Sequence, residues 1–120
     1  MSKSTTSVWM YRADLAQDKR LQQQVIGYDV EATDGSIGKI DEASTETNRH
    51  YLVVDTGFWI FGHKRLIPAG VFTRVDHENE KVYVAMTKGQ IKNAPDYDES
   101  MTAHDDAYYD KYSSYYGTWS

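Results

Sequence analysis

The stretch that decides the fold is residues 51–71, Tyr-Leu-Val-Val-Asp-Thr-Gly-Phe-Trp-Ile-Phe-Gly-His-Lys-Arg-Leu-Ile-Pro-Ala-Gly-Val. It opens as a β-branched strand over residues 51–56, passes an aromatic turn bracketed by Gly57 and Gly62, and returns as a strand over residues 65–67 that Pro68 stops. The pattern predicts a long β-hairpin. Phe58, Trp59, Ile60 and Phe61 follow one another at its tip. Successive side chains on extended backbone face opposite ways, so the four cannot all enter one core. Core packing accounts for one of each alternating pair, and Trp59 and Ile60 are the stronger interface candidates because aromatic anchors dominate interface energies.

Upstream of the hairpin, Val25, Ile26, Tyr28 and Val30 predict a strand, Asp34-Gly35 a tight turn, and residues 37–43 its partner strand, followed by a polar turn at residues 45–49. Downstream, residues 71–75 and 81–86 predict two more strands across a charged turn at residues 76–80. In the second of these, Val82, Val84 and Met86 alternate with Tyr83 and Ala85, the mark of burial on one face. Five or six short strands with frequent turns predict an all-β domain, a small barrel of antiparallel strands. The period then changes. Thr87 and Gln90 form a capping box for a short helix starting at Lys88 and ending before Pro95. Thr102 and Asp105 repeat that signal before a C-terminal helix over residues 103–116, whose Tyr108, Tyr109, Tyr112 and Tyr116 fall at helical spacing, with Gly117 placed as its C-terminal cap. These tyrosines form an aromatic face for the barrel or for a partner, and join the hairpin tip as interface candidates.

The domain reading is a flexible N-terminal arm over residues 1–24, a barrel over 25–95 and an acidic, tyrosine-rich tail over 96–120. The formal charge of −5 resides in that tail: residues 96–120 carry six acids and one base, and the twelve acids and twelve bases before them cancel. A neutral body argues against nucleic acid as a partner. There are no cysteines, which removes disulfides and thiolate chemistry. The N-terminus has no apolar run fit for a signal peptide and no segment approaches membrane-span length, so a cytoplasmic location without a membrane span is expected.

Chemical motifs fail on spacing. Gly57 and Gly62 before His63-Lys64 put the lysine of a phosphate loop one position late and fill the loop with bulky side chains. Asp29, Glu31 and Asp34 approach a calcium loop without its closing glutamate. Gly35-Ser36-Ile37-Gly38 is one residue short of a nucleophile elbow. His50, His63, His77 and His104 share no ligand spacing, and solvation in turns accounts for His63 and His77. Asp76, Glu78 and Glu80 read as a solubilising turn. No catalytic residue, metal site or cofactor is expected.

Residues 27–40, Gly-Tyr-Asp-Val-Glu-Ala-Thr-Asp-Gly-Ser-Ile-Gly-Lys-Ile, together with Tyr51-Leu-Val-Val-Asp-Thr-Gly57-Phe58 and Leu66-Ile-Pro68-Ala-Gly70, resemble the PRC-barrel family, named for the cytoplasmic domain of the photosynthetic reaction centre H subunit. The resemblance covers about residues 25–95, and the ending Lys88-Gly-Gln-Ile-Lys-Asn-Ala-Pro95 is similar to free-standing bacterial members. It implies a small barrel in which Gly27, Gly35, Gly38, Gly57, Gly62, Pro68 and Gly70 shape turns, bends and a corner. It further implies a protein-binding or assembly module without catalytic residues, with a homo-oligomer or a protein of unknown identity as partner. The alternatives are a barrel that binds a small ligand or cation, and an accessory of photosynthetic or electron-transfer assemblies.

Overall fold

The computed structural model describes residues 8–18, 21, 24–44, 49–57, 63–97 and 106–119. Among them, six strands form one sheet: β1 (Asp29–Ala32), β2 (Gly35–Ala43), β3 (Tyr51–Asp55), β4 (Lys64–Pro68), β5 (Phe72–Asp76) and β6 (Lys81–Val84). Three helices accompany it, α1 (Ala13–Ala16), α2 (Lys88–Lys92) and α3 (Asp106–Tyr116). The spatial order is β4-β3-β2-β1-β6-β5. Every neighbouring pair is antiparallel except β1 and β6, which run parallel with Val30 opposite Val82.

The sheet must curl. Its two edge strands, β4 and β5, are consecutive in sequence and joined only by a 3-10 turn, Ala69–Val71. A flat six-stranded sheet would hold its edges about 24 Å apart, while the chain from Pro68 to Phe72 spans at most about 14 Å. Three register shifts supply the bending, between Val30 and Glu31, between Ile40 and Glu42, and between Phe72 and Arg74. No ladder joins β4 to β5, so the sheet stays open. The expected all-antiparallel barrel is thus corrected on two points. Alternation along a chain identifies strands and faces but not partners, so neither the parallel pair nor the open seam could be read from it.

The first strand begins later than its pattern predicts. The Tyr28 amide bonds the Val25 carbonyl at 2.9 Å, and Gly27 sits at φ +94°, a turn that delays β1 to Asp29. Gly38 serves close approach: a Cβ there would overlap the Asp55 carbonyl oxygen on β3. The α2 cap forms as predicted, with Thr87 Oγ1 accepting from the Gln90 amide at 3.2 Å and the Gln90 side chain accepting from the Thr87 amide at 2.8 Å.

The core runs through the sheet as Val30, Ile37, Ile40, Leu52, Val54, Leu66, Phe72, Val82 and Val84 and continues into Met86 and Ile91. On β3 the three consecutive residues Leu52, Val53 and Val54 are all buried, and on β4 so are Arg65, Leu66, Ile67 and Pro68. Strands buried on both faces lie between two layers. The second layer here is terminal chain: α3 packs on β4, and Val8 and Trp9 run beside His50 and Gly70. Residues 1–24 are therefore not simply an arm, since Val8, Trp9, Leu15 and Leu21 are buried. The helix observed over Asp106–Tyr116 covers the described part of the expected one, while Thr102 and Asp105 lie outside the described residues. Gly117 opens a 3-10 turn, Gly117–Trp119, instead of ending the helix in a left-handed cap.

Candidate functional site

Two side-chain constellations stand out. The first is an aromatic layer between the terminal segments and β3–β4. Tyr109, Tyr112 and Tyr116 lie one turn apart on α3 and are fully or almost fully buried. Trp9 meets Tyr109 edge-on at 5.3 Å and Tyr112 at 6.3 Å, and its indole N–H donates to Ser113 Oγ at 2.8 Å. The Arg49 guanidinium lies 3.9 Å over the Tyr109 ring. The Tyr112 hydroxyl donates to the Asp96 carbonyl at 2.7 Å, and the Tyr115 hydroxyl to that of Gln90. The Tyr116 hydroxyl is buried with no hydrogen-bond partner, and burial pushes its ionisation well above the ordinary tyrosine range.

Beneath this layer, Arg65 is almost completely buried. Its guanidinium donates to the Ile91 carbonyl at 3.3 Å, to that of Lys92 at 2.9 Å and to that of Lys64 at 3.2 Å, and Nη1 lies 3.2 Å from Asp96 Oδ1. The fork thereby satisfies carbonyls at the C-terminal end of α2 and fastens that helix to β4. This is structural work for a charge that sequence reading left unassigned.

The second constellation is a hydrogen-bonded chain of three side chains from distant parts of the sequence. Asp18 follows α1, Tyr28 precedes β1, and His77 opens the turn between β5 and β6. His77 Nε2 lies 2.6 Å from Asp18 Oδ2, and the Tyr28 hydroxyl 2.8 Å from His77 Nδ1. The Tyr28 and His77 rings meet edge-on at 5.6 Å. The Asp18 and His77 side chains are largely enclosed, so His77 is not the solvated turn residue that its position predicts. Nearby Tyr11 is partly buried, and desolvation first, then the charge of the Asp18 carboxylate, raises its ionisation far above the ordinary value. The neighbouring turn behaves as expected: Asp76 accepts from the Asn79 amide and side chain, which hold its carboxyl below the usual range.

The interface candidates divide. Phe58, Trp59, Ile60, Phe61 and Gly62 lie outside the described residues, as does the side chain of Tyr108. Tyr109, Tyr112 and Tyr116 face the chain's own sheet and are corrected from interface to core, because helical period reveals an apolar face but not what it covers. Gly27, Gly35, Gly38 and Gly57 have positive φ, whereas Gly70 lies in the 3-10 corner after Pro68 without it. Among the described residues, no group of three histidine or acidic side chains is placed to hold a metal, and no helix is long and apolar enough to cross a membrane.

These features define a class, a small curled mixed sheet with helical caps. No protein-family model and no curated protein matches the chain. Among solved structures, one from Pseudomonas aeruginosa, described as a 16S ribosomal RNA processing protein, RimM, is similar at 18% identity and a TM-score of 0.45. The match covers 55% of this chain and 43% of that one, so the chain spans less than half the length of that protein, and no argument about function follows from it.

Proposed function

We propose that this chain is a non-enzymatic interaction and assembly module of the PRC-barrel type, docking a protein partner or a second copy through the residues between β3 and β4. The observation that carries the reading is the base of that hairpin. The Thr56 amide donates to the His63 carbonyl at 2.7 Å, closing the strands, and Gly57 and His63, the two residues that flank the tip, are both exposed. Phe58, Trp59, Ile60 and Phe61 therefore join two solvent-facing positions. The aromatic face of α3 already serves the core, which leaves the hairpin tip as the stronger anchor of the two sequence candidates.

Replacing Trp59 with serine tests the reading. Association, followed as oligomer mass across a concentration series and as cross-linking from a photoreactive group at position 61, is expected to weaken by roughly thirtyfold, the equivalent of about 2 kcal/mol, with melting unchanged. A lower melting temperature with association intact would instead place Trp59 in the core and overturn the proposal.

A further inference from the structure

We propose that the outer edge of β5 is a pairing surface for a second copy of this chain, and that α1 is a detachable guard over it. β5 ends the sheet, and among the described residues no main-chain hydrogen bond joins residues 73–76 to any element but β6. Alternate residues of an edge strand turn their N–H and C=O groups away from the sheet, and a free row of such groups is a template for another strand.

What lies over that edge is short and fastened at both ends. Arg12 donates to the Gly70 carbonyl at 3.2 Å, two residues before β5, and Asp18 Oδ2 lies 2.6 Å from His77 Nε2, one residue after it. The segment between them runs the length of the strand. Within it α1 packs on β5, is a single turn long, has no side-chain cap at its N-terminus and buries one residue, Leu15. A lone turn of helix has little stability of its own, so the guard stays in place through Leu15 and the two fastenings.

The partner follows from charge. Two copies of β5 brought edge to edge about a two-fold axis run antiparallel. With the axis at Val75, Arg74 stands opposite the second copy's Asp76, and Asp76 opposite its Arg74, on one face of the joined sheet. Arg74 Nη2 already lies 3.8 Å from Asp76 Oδ2 within the strand, which places both charges on that face. An axis at Arg74 would instead set two arginines against each other, and like charges directly opposite are destabilising. The edge is therefore self-complementary in the register centred on Val75. Because α1 and the second copy occupy the same edge, pairing requires the guard to leave, and the fastenings at Arg12 and Asp18 set how often it does.

The chain has no cysteine, so one introduced thiol reports the register. At the axis the two copies of position 75 have Cα atoms about 4.5–5.5 Å apart, inside the range a disulfide spans, whereas two copies of position 73 are offset by about 14 Å along the strands. Val75→Cys and Thr73→Cys are each placed in the full chain and oxidised with diamide, and dimer formation is followed by non-reducing electrophoresis. The expected result is cross-linking about tenfold faster at position 75 than at 73, a further rise of about tenfold when Arg12→Ala and Asp18→Ala release the guard, and loss of the preference in Arg74→Glu. Association at the hairpin tip acts on both positions alike and leaves their ratio unchanged. Equal rates at the two positions, or a rate at position 75 indifferent to the guard, overturns the proposal. Should the released variant fail to fold, the chain with its guard intact decides at high concentration: the same preference for position 75 supports the assignment, and no preference overturns it.

Discussion

The two terminal segments cover the same side of the sheet by different means. Helix α3 is held by rings: Tyr109, Tyr112 and Tyr116 are inserted into the core, and the hydroxyls of Tyr112 and Tyr115 reach main-chain carbonyls. The segment around Trp9 inserts one large ring beside the smaller Val8 and attaches further through main-chain carbonyls and amides and through the Arg12 side chain. The Gly70 amide donates to the Val8 carbonyl at 2.7 Å and the His50 amide to the Trp9 carbonyl at 2.8 Å, while Arg12 donates to the Gly70 carbonyl at 3.2 Å and to that of Trp119 at 3.0 Å. An element held by rings repeats them at its own period and announces itself in sequence. One held by main-chain bonds leaves no periodic trace, because every residue carries the same donor and acceptor.

If that contrast is right, the largest loss should come from a ring. Tyr112→Ala removes a fully buried side chain stacked at 6.4 Å on Tyr116, and denaturant unfolding is expected to show about 3–5 kcal/mol of destabilisation. A smaller loss, about 1 kcal/mol, is expected for Arg12→Ala, an exposed residue whose side chain gives up two hydrogen bonds to carbonyls. Equal losses in the two variants would break the comparison.

The smallest change is expected at Tyr116→Phe, neutral or stabilising by up to about 1 kcal/mol, since only a buried hydroxyl without a partner is removed. The same variant sharpens the comparison by pH. Burial raises the Tyr116 ionisation in the fold above the ordinary tyrosine value of 10.0. Its contribution is therefore complete below that value and declines as pH rises through the alkaline range, because the unfolded chain releases the proton first. Melting temperature should fall above about pH 10 in the parent and fall less steeply in Tyr116→Phe. Parallel curves would show that the hydroxyl reaches solvent.

What could be read in the sequence follows the same division. Local chemistry was legible: the alternation over Lys81–Val84 and the Thr87–Gln90 capping box appear where residue patterns placed them, and the first hairpin turns one residue early, at Thr33 and Asp34, with Gly35 opening β2 opposite Ala32. Pairing over long distance was not. Neither the alternation of Val30 nor that of Val82 names the other as its neighbour, and nothing local ties Asp18 to His77. Arg65 and Trp9 were missed for the same reason, as single residues whose partners lie far along the chain. At the candidate interface, an apolar helical stripe was visible in sequence, but whether it faces its own sheet or another molecule depends on a surface that the stripe does not encode.

The parallel pairing of β1 with β6 also constrains the order in which the molecule can assemble. The strands β2, β3 and β4 follow one another as a meander, and β5 and β6 as a hairpin, so each set can zip up from a nearby turn. The contact between Val30 and Val82 instead joins positions about fifty residues apart. The loop-closure entropy of that encounter must be met before its packing is gained, which makes the joining of the two sets the slow event on the route to the native state. A ribosome must release most of this chain before that event can begin, and until then the inner edges of β1 and β6 lack the partners that later protect them.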